Sequence, residues 1–235
     1  MEKNNKYRAT DKMSDLICGN YVLLQVMSRF GLSLGFGDHT VEEVCKTYDV
    51  DCNTFLSVVN FIIGDNEFAV DKESKLSIRT LMNYLREAHH YFLDYQLPSI
   101  KEKLNSFLDY SDNKEVSFLI TNFFDAYIEE LSKHMGYEEK YVFTYVEKLL
   151  NNKSSHDCNF KFFEFASSHN QVDTKLTELK DIIIKYLHPT GNNYATNSLL
   201  FEIFACIEDL DSHSRVEDCM FVPAVLNLEK ELEAI

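Results

Sequence analysis

Two His-x-x-x-Glu pairs, His134 with Glu138 and His213 with Glu217, stand 79 residues apart in a chain of 235. Adding the same offset to His90 gives His169, so the spacings His90 to His134 and His169 to His213 are both 44 residues. The flanks follow: EELSKHMGYEE (129–139) aligns with EDLDSHSRVED (208–218), and HYFLDYQL (90–97) with HNQVDTKL (169–176). His89 falls on Ser168, so the offset selects His90 and not His89. A chain that superimposes on itself in this way is read as a duplicated helical hairpin, packed with pseudo-two-fold symmetry around one site.

Apolar residues at spacings of three and four predict helices on either side of that site. One stripe reads Tyr127, Leu131, His134, Glu138, Val142, Tyr145, Leu149. Another reads Leu199, Ile203, Cys206, Leu210, His213, Glu217, Met220, Ala224, and a third Phe162, Phe165, His169, Val172, Leu176, Leu179, Ile183. Only 7 Gly and 3 Pro interrupt a composition that is 45% hydrophobic, which disfavours a turn-rich β fold. Short polar breaks (DYSDNK, LNNKSS, HPTGNN) make the four long patterns antiparallel neighbours. The expected fold is all-α: an antiparallel up-down four-helix bundle over 76–235, a linker at 65–75, and a small helical N-terminal domain over 1–64. Pro98 should bend or divide the first bundle helix. Gly31, the Thr40/Glu43 capping box and Asn53 mark helix ends in the N-terminal domain; Asp112 with Glu115, Ser154 with Asp157, and His188-Pro189 with Gly191 mark them in the bundle.

The charge balance narrows the partners. With 38 acidic residues against 23 basic, the net charge of -15 repels phosphate backbones and anionic membrane surfaces. The stretch TVEEVCKTYDVDCNTFLSVVNF could be a helix-turn-helix, but Glu42, Glu43, Asp49 and Asp51 face a single Lys46, the wrong sign for DNA. No nucleic acid and no membrane is therefore expected. The N-terminus lacks the apolar core of a signal peptide, and later apolar runs are too short to span a bilayer, so the chain reads as cytoplasmic. Six scattered cysteines without a CxxC pair read as reduced thiols and give no zinc site.

Four imidazoles and two carboxylates on apolar stripes would cost several kcal/mol if left unneutralised in a core. A bound cation removes that cost. His and Glu at i, i+4 share one helix face, so His90, His134, His169 and His213 can cap two metal ions that Glu138 and Glu217 bridge. Imidazole and carboxylate without thiolate suit iron, and manganese or zinc fit by ligand type. Glu130 and Asp209, four residues before a ligand histidine, are candidate acceptors that orient the rings. His39, His156 and His188 read as solvated, His89 as a neighbour, and Asp94 and Asp173 as exposed. Asp218, five residues after His213, points away on an ideal helix, which favours Glu217. Ferritin-like carboxylate bundles need two Glu-x-x-His pairs, and only Glu87 to His90 has that spacing here.

The histidine-rich set resembles hemerythrin-like cation-binding bundles. With SRFGLSLGFGDHTVEEVCKTYDVDCNTFLSVV ahead of AHHYFLDYQLPSI, SKHMGYEEKYVF, SSHNQVD and DSHSRVEDCMFVP, nearly the whole chain resembles the repair-of-iron-centres family. That resemblance implies a non-haem di-iron centre, with or without an oxo bridge: His90 and His134 on one iron, His169 and His213 on the other, Glu138 and Glu217 between them. It also implies a redox-active protein that restores iron-sulfur clusters damaged by nitric oxide or oxidants. The partners would be damaged iron-sulfur proteins and small ligands such as nitric oxide or oxygen, with a homodimer left open. The alternative is a module that senses oxygen or nitric oxide and signals to a partner, and whether the chain turns over a substrate stays open. Three departures stand out. Leu34, Gly35, Phe36 and Gly37 replace the family's Cys-Cys-Gly-Gly; Thr144 replaces a proline that Pro223 keeps; Asp173 replaces a second histidine found in oxygen carriers, which argues against simple oxygen transport.

Overall fold

The computed structural model describes residues 7–64, 76–109, 113–151, 162, 174–187 and 193–233. All regular elements among them are helices: α1 (Met13–Gly19), α2 (Leu23–Arg29), α3 (Val41–Thr47), α4 (Cys52–Ile63), α5 (Ile78–His90), α6 (Leu97–Asp109), α7 (Lys114–Tyr137), α8 (Thr144–Leu150), α9 (Thr174–Tyr186), α10 (Asn193–Val216) and α11 (Val222–Glu233). No strand occurs among the described residues; one isolated antiparallel bridge joins Lys12 and Thr40. None of these helices is long and apolar enough to cross a membrane. The expected linker at 65–75, the pairs Ser154/Asp157 and His188/Gly191, and Asp112 lie outside the described residues.

The chain divides into two compact units. One holds α1 to α4, α5 as far as Ala88, the chain from Val146 into the rest of α8, and the segment from Arg215 onward; the other runs from His89 to Tyr145 and from Phe160 to Ser214.

In the first unit, short helices close around Met13, Leu16, Leu23, Met27, Phe55, Val58 and Val59, all buried. Phe30 meets the Phe55 ring edge-on at 5.2 Å and the Tyr84 ring at 4.9 Å, which ties α4 and α5 together through one aromatic cluster. Gly31, at φ 69°, ends α2 in the left-handed conformation a side chain disfavours. The Thr40/Glu43 capping box is formed in full. At α4 the cap is Asp51, whose carboxylate accepts from the Thr54 amide at 2.8 Å, and not Asn53. Asn113 likewise caps α7 through the Val116 amide at 3.1 Å. In both, the residue immediately before the first helical turn takes the position where a short side chain reaches the third amide.

In the second unit the stripes lie on the buried face, with Tyr127, Leu131, Val142, Leu199, Ile203, Cys206 and Leu210 inside. Among the described residues, helices widen into π turns at Tyr91–Gln96 and Glu138–Phe143 in this unit and at Glu217–Phe221 in the first. The last two begin 79 residues apart, so the repeat extends to the backbone. Pro98 and Pro223 each follow a π turn by two residues. A proline removes an i to i−4 donor, and a π turn re-routes the ladder, as in the Leu97 amide bonding the Phe92 carbonyl and the Val222 amide bonding that of Glu217. The division anticipated from Pro98 is thus a wide turn just upstream of it.

Candidate metal centre

The second unit brings His89, Glu138 and His213 together, with one ligand atom of each lying within 4.8 Å of the others. Each sits on an apolar stripe. His89 follows Leu85 by four residues and precedes Phe92 by three, so helical phase turns it inward. Glu138 opens its π turn fully buried, and His213 is 4% exposed near the end of α10. Two aromatic rings fix the imidazoles: Phe143 stacks on His89 at 5.6 Å and 9°, and Phe92 meets His213 edge-on at 5.7 Å. The two imidazoles themselves lie 5.1 Å apart, edge to face.

Glu138 receives imidazoles on both oxygens. Nε2 of His89 is 3.2 Å from Oε2, and Nε2 of His134, one turn back on α7, is 3.0 Å from Oε1. The His134 side chain keeps 25% of its surface open, so solvent reaches the group from that side.

The other nitrogen of His89 decides what the cluster can hold. Nδ1 lies 3.0 Å from Oε1 of Glu139, so carboxylate oxygens face both ring nitrogens. A neutral imidazole carries one N–H, and two acceptors on opposite sides need either a second proton or a cation at Nε2. With Nδ1–H donated to Glu139, Nε2 presents a lone pair beside the Glu138 carboxylate and the His213 ring, the orientation in which a carboxylate-anchored histidine binds metal. Donors held at about 2.0–2.2 Å from one ion lie at most about 4.4 Å apart, so these atoms close on a metal with small side-chain movements. Two imidazoles and a carboxylate suit iron, manganese or zinc.

The residues proposed from the repeat are placed unevenly. His134, Glu138 and His213 lie in or beside the cluster. His90 does not: its side chain is 64% exposed, and its Nδ1 turns to Asp94 at 3.4 Å. His89 occupies the place given to His90, because one residue along a helix rotates a side chain by roughly 100° and only His89 is in phase with Leu81, Leu85 and Phe92. Glu217 is 1% exposed at the start of its own π turn, one turn beyond His213 on the same helix. His169, Asp173, His156 and His188 lie outside the described residues. Glu130 is engaged by Lys175, so it is not the ring acceptor expected of it; Glu139, adjacent to the ligand carboxylate, is. Asp94 is exposed, as is His39, which pairs with Glu43 at 3.4 Å.

With this geometry in view, the comparison with protein families is specific. The model of the hemerythrin HHE cation-binding domain matches residues 80–225, a span that takes in His89, Glu138, His213 and the three described π turns. The all-helical architecture is that of a hemerythrin-like bundle preceded by N-terminal helices. No curated protein matches the chain.

Proposed function

The chain belongs to the hemerythrin HHE cation-binding family, and on that premise we propose that it is a non-haem di-iron protein of the iron-sulfur cluster repair type. The observation that carries the metal is His89, held between Glu139 and Glu138 with His213 beside it. In this reading His89 and His213 would hold one iron together with one oxygen of Glu138, and His134, beside the other oxygen of Glu138, would serve the second. His169, which the repeat equates with the first-helix histidine, and Glu217, which it equates with Glu138, would complete the set.

Bound iron supplies a redox couple and open positions for small ligands. The chain supplies the rest. Glu139 holds the His89 ring in one tautomer, Phe143 fixes its plane, and burial of Glu138 excludes competing water. The partly open side of His134 offers oxygen or nitric oxide a way in. The repair assignment is supported by the likeness of nearly the whole sequence to the repair-of-iron-centres family. The net charge of -15 disfavours a nucleic-acid partner, and damaged iron-sulfur proteins of the cytoplasm are the proposed partners.

Anaerobic purification without an affinity tag, metal analysis and an optical spectrum test the centre: about two irons per chain, with bands that change on oxidation or nitric oxide, are expected. The iron-loaded protein is then mixed with a nitric-oxide-damaged iron-sulfur enzyme, whose activity should return. Ligand binding without recovery of that enzyme would replace repair by sensing, and a folded chain holding no iron would overturn both.

A further inference from the structure

Among the described residues, a second chemically distinct cluster lies in the N-terminal helices. Cys45, on the inner face of α3, is buried, and Cys52, the first residue of α4, is partly accessible. The turn between the helices folds them back on each other: Asp49 adopts a left-handed φ of 56°, the Tyr48 amide bonds the Val44 carbonyl, and the Val50 amide bonds that of Cys45 at 2.9 Å. The reversal packs α3 against α4 and makes Cys45 and Cys52 an interacting pair of thiols. Asp51, with its carboxylate on the Thr54 amide and hydroxyl, pins the start of α4 and so the position of Cys52.

We propose that Cys45 and Cys52 are an oxidation site, a dithiol that a hydroperoxide closes into an intramolecular disulfide. The Cys52 thiolate attacks one peroxide oxygen; an S–O bond forms, the O–O bond breaks, and the departing alkoxide or hydroxide takes up a proton. The Cys45 sulfur then attacks the Cys52 sulfenic acid, an S–S bond forms, and the hydroxide leaves as water with the Cys45 proton. Two thiols and one peroxide give one disulfide, one alcohol or water, and one water; the sulfur pair loses two electrons and the peroxide gains them.

The order of attack follows from the geometry. Cys52 is the reachable sulfur and stands at a helix N-terminus, whereas Cys45 is enclosed. Burial pushes both thiols up, so oxidation is slower near neutrality than at an ordinary exposed thiol and speeds up as pH rises.

The test uses the full chain, treated with hydrogen peroxide in the absence of thiol reductant, alkylated and mapped by peptide mass. A Cys45–Cys52 crosslink lighter by two hydrogens, reversed by dithiothreitol, is expected. In Cys45→Ser a sulfenic acid should persist at Cys52 and be trapped by a cyclic diketone probe, and Cys52→Ser should yield none at Cys45. Full alkylation of Cys45 and Cys52 at a peroxide dose that oxidises the exposed Cys18 or Cys219 would overturn the proposal, as would a crosslink from either residue to any other cysteine in the wild-type chain.

Discussion

Nε2 of His89 stands 3.2 Å from Oε2 of Glu138, a residue on a different helix, while its neighbour His90 turns away to solvent. The first prediction compares the two. His89→Ala should reduce bound iron to background, whereas His90→Ala should keep full metal content and change stability by no more than about 0.5 kcal/mol, as for an exposed substitution. Metal analysis of both variants beside wild type decides it; equal metal loss in the two would return His90 to the ligand set.

That pair also marks what the sequence made readable and what it hid. The inward placement of Tyr127, Leu131, Glu138, Leu210 and His213 followed from spacings of three and four, because burial on a helix is local periodicity. The Thr40/Glu43 box was legible because both halves lie within one turn. The 79-residue repeat selects His90, whereas helical phase, four residues after Leu85 and three before Phe92, selects His89. Glu130 turns instead to Lys175, 45 residues away, and no local pattern announces such a contact. The π turns were missed because an extra residue per turn leaves no compositional mark beyond a nearby Pro98 or Pro223.

Glu139 should matter without touching metal. Its Oε1 accepts from His89 Nδ1 at 3.0 Å, which orients the ring and raises its basicity. Glu139→Gln should weaken metal affinity by about 10–100-fold while leaving the fold intact. A competition titration against a chromophoric chelator measures this, and unchanged affinity would reduce Glu139 to a surface carboxylate.

The N-terminal capping box gives a stability prediction with a defined pH sign. Thr40→Ala removes the acceptor for the Glu43 amide and should cost about 0.5–2 kcal/mol, read as a lower denaturation midpoint. Hydrogen bonds from the Thr40 amide, then its hydroxyl, and then from His39 hold the Glu43 carboxyl below its ordinary value. Because the folded value is depressed, the contribution is present above the ordinary carboxylate range and fades as pH falls through the folded value. Glu43→Gln should therefore flatten the acid limb of the stability curve; an unaltered acid limb would show that Glu43 does not contribute to it.

Metal and fold should be coupled, since the donors belong to α5, the π turn that follows α7, and α10, and only the folded chain gathers them. A ligand that binds the native state alone stabilises it by about 2.7 kcal/mol when its free concentration is a hundred times Kd. For a chain of this size that is a rise in Tm of about 5–10 °C. Removing iron with a chelator should lower Tm by that amount, and restoring it should reverse the change. Glu138→Gln supplies the control: it keeps the volume of the buried group but removes the charge, so its Tm should no longer respond to iron. A wild-type Tm indifferent to iron would mean that the cluster of His89, Glu138 and His213 is held together by protons alone, with His89 as the imidazolium that two facing carboxylates also permit.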